Sequence, residues 1–455
     1  MKRKNYFNRI VKAEDKIFRI ADDEVLTAPL LAEYIRQHDL LVQSHYKYLD
    51  DAYQTDYAIF HQANKKSYKP DNRLATNFAK YIVDTMNGFF CGIPIKVTSN
   101  DERINKYIQR YDRYNSMDDQ NAEIAKTCDI FGSAYEMYYV DEMGEVASTV
   151  LSPMNAFIIY NESIIPQPRY FVRLYTDNRN VKRGSISDGE TVRYFKQDGG
   201  VKFDEYEKMH GFDGVPATEF LENAERTGLF EPVLSLIDAY NKAISEKAND
   251  VDYFADAYLK ILGAKLKDED LKTIRDDRII NFDGIEDGKL VVDFMDKPNG
   301  DTTQENLIDR LRTDIFQIAM VANISDENFG ASSGIALKYK LLAMSNLAKM
   351  KQNKFIGAMN CRYRLICSNP VTSAKADDWL FIDYQFTQNI PANQLEEAQI
   401  ASQLSGVTSK ETQLKALSIV DDVKAEIEKI DAEQDKTSYS TDYPTERTGG
   451  GGLNE

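Results

Sequence analysis

Apolar positions recur at helical spacing in some stretches of the chain and cluster at strand spacing in others, and the two patterns divide it into regions. Between Gln304 and Val321, residues Leu307, Leu311, Ile315, Ile318 and Met320 fall at roughly helical intervals. The pattern stops at a small polar stretch and restarts as a second helix at about Ile335. In the gap, Asn323, Ser325, Asp326 and Asn328 favour caps and turns, and Gly330 and Gly334 free the backbone of the Cβ restriction. Residues 304–342 therefore predict two long helices joined by a polar loop, a hinged lever. Taken alone, an ordinary helical hairpin fits the same pattern.

Upstream, residues 1–64 read as mostly helical and polar, with an amphipathic stretch over 22–54. His38 and His45 stand two turns apart there and, lacking a third ligand, read as surface residues. Residues 65–230 mix a helix from Asn77 to about Met86 with strands. YEMYYV, FIIY and RYFVRLY are dense in aromatic and β-branched residues, with turn signals at Asp141–Gly144, Asp188–Gly189 and Gly199–Gly200. A helix of about 26 residues, roughly 40 Å long, begins at Glu231, where Pro232 suits the first turn. Its apolar stripe reads Leu236, Ile237, Tyr240, Ile244, Ala248, Val251 and Ala255. After Gly263, IINFD and KLVVDF with turns at Asp283–Gly284 and Asp287–Gly288 suggest a β-hairpin, left at Pro298–Asn299–Gly300. A long helix over 335–366, a strand at 379–386 and shorter helices at 389–404 and 410–430 complete the pattern. Residues 431–455 lack a core-forming pattern and read as disordered. The fold class is α+β.

Charge changes this picture more than composition does. Acidic residues outnumber basic ones 73 to 56, for a net charge of −17. A surface that grips duplex DNA needs the opposite sign, so tight nonspecific DNA binding by the whole surface is disfavoured. A conduit past which phosphates slide is compatible with acidic walls. The basic exception is the helix after the loop, with Lys338, Lys340, Lys349, Lys351 and Lys354. No apolar run is long enough for a membrane span, and MKRKNYFNRIV has no signal-peptide core. The four cysteines show no CxxC pairing, and no metal or cofactor pattern is present. Gly330–Gly334 lacks the Lys-Ser/Thr of a P-loop, and no GxSxG, HExxH or Ser/His/Asp arrangement is evident. These readings point away from an enzyme. Abundant Asp and Glu leave a metal-dependent DNA-processing enzyme as an alternative, beside a structural or adaptor protein.

Four blocks resemble, in order, the portal proteins of tailed bacteriophages, of the type found in long-tailed phages of Gram-positive hosts. They are NRLATNFAKYIVDTMNGFFCGIPIKV (72–97), DIFGSAYEMYYVDEMGEV (129–146), the stretch 215–263, and ISDENFGASSGIALKYKLL (324–342). The resemblance implies a portal fold: an α/β wing, a long-helix stem, a small β-containing clip and a helical crown. It assigns residues 1–230 to the wing, 231–255 and 301–322 to stem helices, 256–300 to the clip and 323–334 to a tunnel loop. A long crossing helix and a wing strand take 335–390, and the crown 391–430.

The implied function is a dodecameric homo-oligomer ring at one capsid vertex of the virion, assembled in the host cytoplasm. Double-stranded DNA would pass through it during packaging and ejection. Implied partners are a separate terminase, the major capsid and scaffolding proteins, and head–tail connector or adaptor proteins. The tunnel loop would comprise Asn323, Ser325, Asp326, Glu327, Asn328, Phe329, Gly330, Ser332, Ser333 and Gly334. Asp326 and Glu327 would oppose tight phosphate binding and Phe329 would anchor into protein, while Lys338 and Lys340 would face either DNA or, as charged runs on long helices commonly do, solvent.

Overall fold

The computed structural model describes residues 13–66, 69–255, 259–262, 279–282, 291–294, 301–324, 334–390, 394–417, 419–420 and 423–438. They form an α+β protein of two compact units, Met1–Asn323 with Leu341–Asn389, and Ile324–Lys340 with Ile390–Glu455.

The larger unit opens with β1 (Phe18–Ile20), α1 (Ala28–Leu41), a π-helical turn over Val42–Tyr46, and α2 (Lys47–Tyr53). Next come α3 (Phe78–Cys91), β2 (Lys96–Ser99), α4 (Glu102–Asn115) and α5 (Met117–Phe131). The β-rich middle holds β3 (Ser133–Val140), β4 (Val146–Leu151), β5 (Ala156–Asn161), β6 (Pro168–Thr176), β7 (Lys182–Ser187), β8 (Thr191–Gln197), β9 (Val201–Met209) and β10 (Ala217–Leu221). After it run α6 (Leu234–Ala255), β11 (Leu259–Leu262), β12 (Ile279–Phe282), β13 (Val291–Phe294) and α7 (Asp301–Ala319). The smaller unit contributes α8 (Gly334–Lys340), and the larger resumes with α9 (Leu342–Ser368) and β14 (Ile382–Gln385). The smaller unit ends with α10 (Gln394–Leu404), α11 (Lys410–Lys415) and α12 (Val423–Ser438).

Strands β5 to β9 form an antiparallel meander, with β1 added parallel to β5. A second sheet, ordered β10-β3-β4, shares a core with the first in which Tyr135, Ala156, Ile158, Phe171, Val215 and Ala217 are buried together. Strand β14 pairs with β2, 283 residues and more upstream by register from Ile382 to Ser99. The turn from α5 into β3 depends on Gly132. Its φ of +83° is left-handed, and a Cβ there would lie 2.2 Å from the Arg226 carbonyl.

Helix α6 is held in an unexpected way. The side it buries deepest carries Ile237, Asn241, Ser245 and Asn249, whereas Val251 of the predicted apolar stripe is exposed. The polar residues take up the backbone of the extended segment 72–76. Asn249 Oδ1 accepts from the Asn72 amide at 2.6 Å, Ser245 Oγ from Leu74 at 2.9 Å, and Asn241 Oδ1 from Thr76 at 2.8 Å. Four helical residues rise about 6 Å and two extended residues about 6.6 Å, so an i, i+4 series on a helix matches every second amide of an extended chain. On the other side of α6, Phe78, Tyr240 and Phe316 meet edge to face at 4.9 and 5.6 Å and join α3, α6 and α7.

Several sequence expectations are corrected. The N-terminal region contributes a sheet strand, β1, too short to show an alternation. His38 and His45 are buried: His38 stacks on Phe157 with ring centroids 4.8 Å apart and places Nε2 2.7 Å from the Pro153 carbonyl. IINF and VVDF do not pair with each other, because both pair with the intervening β11, one parallel and one antiparallel. The long helix expected over 335–366 breaks at the buried Leu341, giving α8 and α9. The helix expected at 410–430 is split in two, and α12 runs to Ser438, inside the segment read as disordered.

The ladder on α6 has a measurable signature. Asn241→Ala and Ser245→Ala each leave a backbone donor unsatisfied, at a cost of about 1–3 kcal/mol. Hydrogen exchange should then accelerate at least ten-fold at the amides of Leu74 and Thr76 while α3 keeps its protection. Unchanged protection at both amides would rule the ladder out.

Candidate functional site

Of the predicted loop, Asn323 is half-buried at the end of the segment that follows α7. Ser325, Asp326, Glu327, Asn328, Phe329, Gly330, Ser332 and Ser333 lie outside the described residues. Gly334 is the first residue of α8, on which Lys338 and Lys340 are exposed. Helix α7 ends at Ala319, and the next residue, Met320, has a φ of +57°, a non-glycine residue in the left-handed region that closes helices. Val321 is buried directly after it.

On the far side of the loop, α9 is fixed in the larger unit by charges in the core. Met344, Ala348, Lys351, Phe355, Met359, Arg362 and Ile366 recur at intervals of three and four, and all are buried. Lys351 and Arg362, eleven residues and three turns apart, therefore share the inward face. Lys349 and Lys354 are exposed, so the lysine series of the sequence is divided between solvent and core.

Lys351 Nζ lies 2.5 Å from Asp129 Oδ1, 2.9 Å from Glu222 Oε2 and 3.1 Å from the Ala125 carbonyl. Burial alone would lower its pKa, but the charges of Asp129 and Glu222 raise it, so the ammonium is retained. Two carboxyl groups around one cation leave an excess negative charge unless a proton stays. Burial, opposed by Lys351 and reinforced by Glu222, pushes the Asp129 carboxyl well above the usual carboxylate range. Eleven residues on, Arg362 Nε donates to Glu136 Oε2 at 2.7 Å and Nη1 to Asn121 Oδ1 at 2.9 Å. Tyr138 donates to the same Glu136 oxygen at 2.8 Å. A third ion pair, Arg226 with Glu219 at 2.7 Å, receives the Tyr160 hydroxyl on the same carboxylate oxygen at 2.6 Å. The sequence held one signal for these groups: two cations at core positions of an otherwise apolar helical stripe.

Among the described residues no group of His, Cys, Asp and Glu is placed to hold a metal. The four cysteines are free thiols, and burial pushes Cys91 and Cys367 up to about 12. Burial also lowers His45 to about 3, keeping it neutral beside Glu231. No described helix is long and apolar enough to cross a membrane.

The shared proton gives a pH prediction. In the unfolded chain Asp129 ionises near pH 4, whereas in the folded chain it keeps its proton to higher pH. Below about pH 4 both states are protonated and the group's stabilising effect is fully present. As the pH rises further only the unfolded state ionises, so stability declines until the folded carboxyl follows. Asp129→Asn removes this dependence, and its stability relative to the parent chain should rise as the pH increases above about 4 in denaturant titrations. Parallel curves would sink the shared proton. Lys351→Met, which strands two buried carboxyl groups, should cost about 3–5 kcal/mol.

The family model described as phage portal protein, SPP1 Gp6-like, matches residues 32–439. A portal protein of Clostridium phage phiCD119 is 22% identical over 453 residues, covering 92% of this chain and 98% of that relative. A portal protein of Bacillus phage SPP1 is 20% identical over 393 residues, covering 81% of this chain and 77% of that relative. A chain from the solved structure "Neck of empty GTA particle computed with C6 symmetry" aligns with a TM-score of 0.41 at 11% identity, covering 74% of this chain and 89% of that one. With the family match running through both compact units, this chain belongs to the SPP1 Gp6-like family of phage portal proteins.

Proposed function

We propose that the chain works as one subunit of a closed, dodecameric ring at a single capsid vertex, through which double-stranded DNA enters during packaging and leaves at ejection. The observation that carries this reading is the second apolar side of α7. Ile308, Ile315 and Ala319 are buried in the subunit, while Leu307 and Ile318 on another side are each 52% exposed, with Val251 of α6 at 54%. A helix that is apolar on two sides needs two neighbours. Helix α6 is one, and a neighbouring copy of the chain supplies the other.

In this reading 231–255 and 301–322 are the stem, 256–300 the clip, 323–334 the tunnel loop and 391–430 the crown. Acidic walls keep phosphates moving, and Lys338 and Lys340 give brief contacts to the passing backbone. The ring docks a separate terminase, which supplies the energy for packaging, and later the head–tail connector proteins. It meets the major capsid and scaffolding proteins during assembly in the host cytoplasm.

Two substitutions test separate parts. Burying a Leu or Ile contributes about 1.5–3 kcal/mol, so Leu307→Glu with Ile318→Glu should raise the concentration needed for assembly by at least 100-fold. Negative-stain class averages and sedimentation read this out, and undiminished rings would remove α7 from the interface. Gly330→Val with Gly334→Val should instead leave rings intact and reduce DNA packaging or retention in a phage complementation assay. Normal packaging would refute the loop assignment.

A further inference from the structure

A cleft of about 590 Å³ opens in the larger unit between β1, the β5–β6 hairpin, β10 and the end of α9. Its walls are apolar, from Val215, Ala217, Leu221 and Leu365, and its polar groups Tyr160, Glu219 and Arg226 are already satisfied by one another. Arg19 and Arg364 also line it; both are exposed, and neither guanidinium has an ion-pair partner among the described residues. The cleft thus pairs an apolar interior with two free positive charges, in a chain whose net charge is −17.

The same unit displays a complementary feature elsewhere. After α9, the turn over Asp378–Phe381 leaves Leu380 61% and Phe381 64% exposed. Asp377 and Asp383 flank them, exposed and without an ion-pair partner among the described residues. Asp378 itself is buried and paired with Arg103 at 2.8 Å, which fixes the turn. None of these residues lines the cleft. Cys361, Arg364 and Leu365 face the cleft from one side of α9, while Cys367, against the Trp379 backbone, is roughly 110° around the helix from that side.

We propose that the Leu380–Phe381 turn of one subunit inserts into the cleft of the next, with Asp377 and Asp383 paired to Arg19 and Arg364. The two surfaces are different and lie on different sides of one helix. The contact is therefore heterologous, the type that propagates head to tail and closes into a ring. It rests on the ring reading above and adds the residues that join neighbours outside the stem.

Cys361 provides a native reporter inside the cleft, half-exposed and free. The full chain carrying Phe381→Cys, assembled and oxidised with copper phenanthroline, should give a ladder of disulfide-linked multimers on non-reducing gels. Adding Cys361→Ser should abolish the ladder. Rings in the micrographs without a ladder would overturn this contact and leave the ring intact. No assembled species from the unsubstituted chain at any concentration would count against the ring reading, and the contact would fall with it. With Phe381 retained, Arg19→Glu plus Arg364→Glu should weaken assembly at least ten-fold, and adding Asp377→Arg plus Asp383→Arg should restore it. Failure of the combined reversal to restore assembly would also overturn the proposal.

Discussion

A lysine with no exposed side-chain surface, enclosed by two carboxyl groups, sets where the longest of the described helices can lie. Apolar side chains tolerate sliding, since a helix moved by one turn presents much the same hydrocarbon to its neighbours. A buried ammonium does not, because away from its partners it would have to be neutralised or resolvated. Lys351 and Arg362 impose this condition at two points three turns apart, so neither translation nor rotation of α9 can satisfy both at another register. Such pairs contribute little net stability compared with well-packed hydrocarbon. What they contribute is a single position for α9 within the larger unit.

The same preference for polar over apolar fixation recurs at α6, where Asn241, Ser245 and Asn249 grip a backbone segment more than 160 residues away in sequence. Both helices therefore take defined positions within the larger unit. Helix α7 completes the set through the aromatic contacts of Phe316 with Phe78 and Tyr81. Leu307 and Ile318, on another side of α7, stay exposed.

Much of the secondary structure was legible because it rests on local rules. The strands around YEMYYV, FIIY and RYFVRLY form where their aromatic and β-branched residues indicate, and Gly144 adopts the left-handed turn its position suggested. What escaped depends on partners far away in sequence. β1 is a strand because β5 offers its edge, and β11 becomes the centre of its sheet although the flanking turns suggested a hairpin without it. His38 and His45 are polar by type, and only the fold brings Pro153 and Glu231 to them. The lysines near the loop show the limit most clearly. Residues 349, 351 and 354 look alike in sequence, yet Asp129 and Glu222 turn the middle one into a core residue.

The ladder on α6 has a consequence for how this chain can vary. It reads the amides of Asn72, Leu74 and Thr76 and takes little account of their side chains. Composition in this strap, residues 72–76, is therefore loosely constrained, except that proline cannot stand at those three positions, where it would remove the donor. Length is constrained tightly. Losing one residue would present the wrong alternate amides to all three acceptors, so relatives of this chain should tolerate substitution in the strap far better than insertion or deletion.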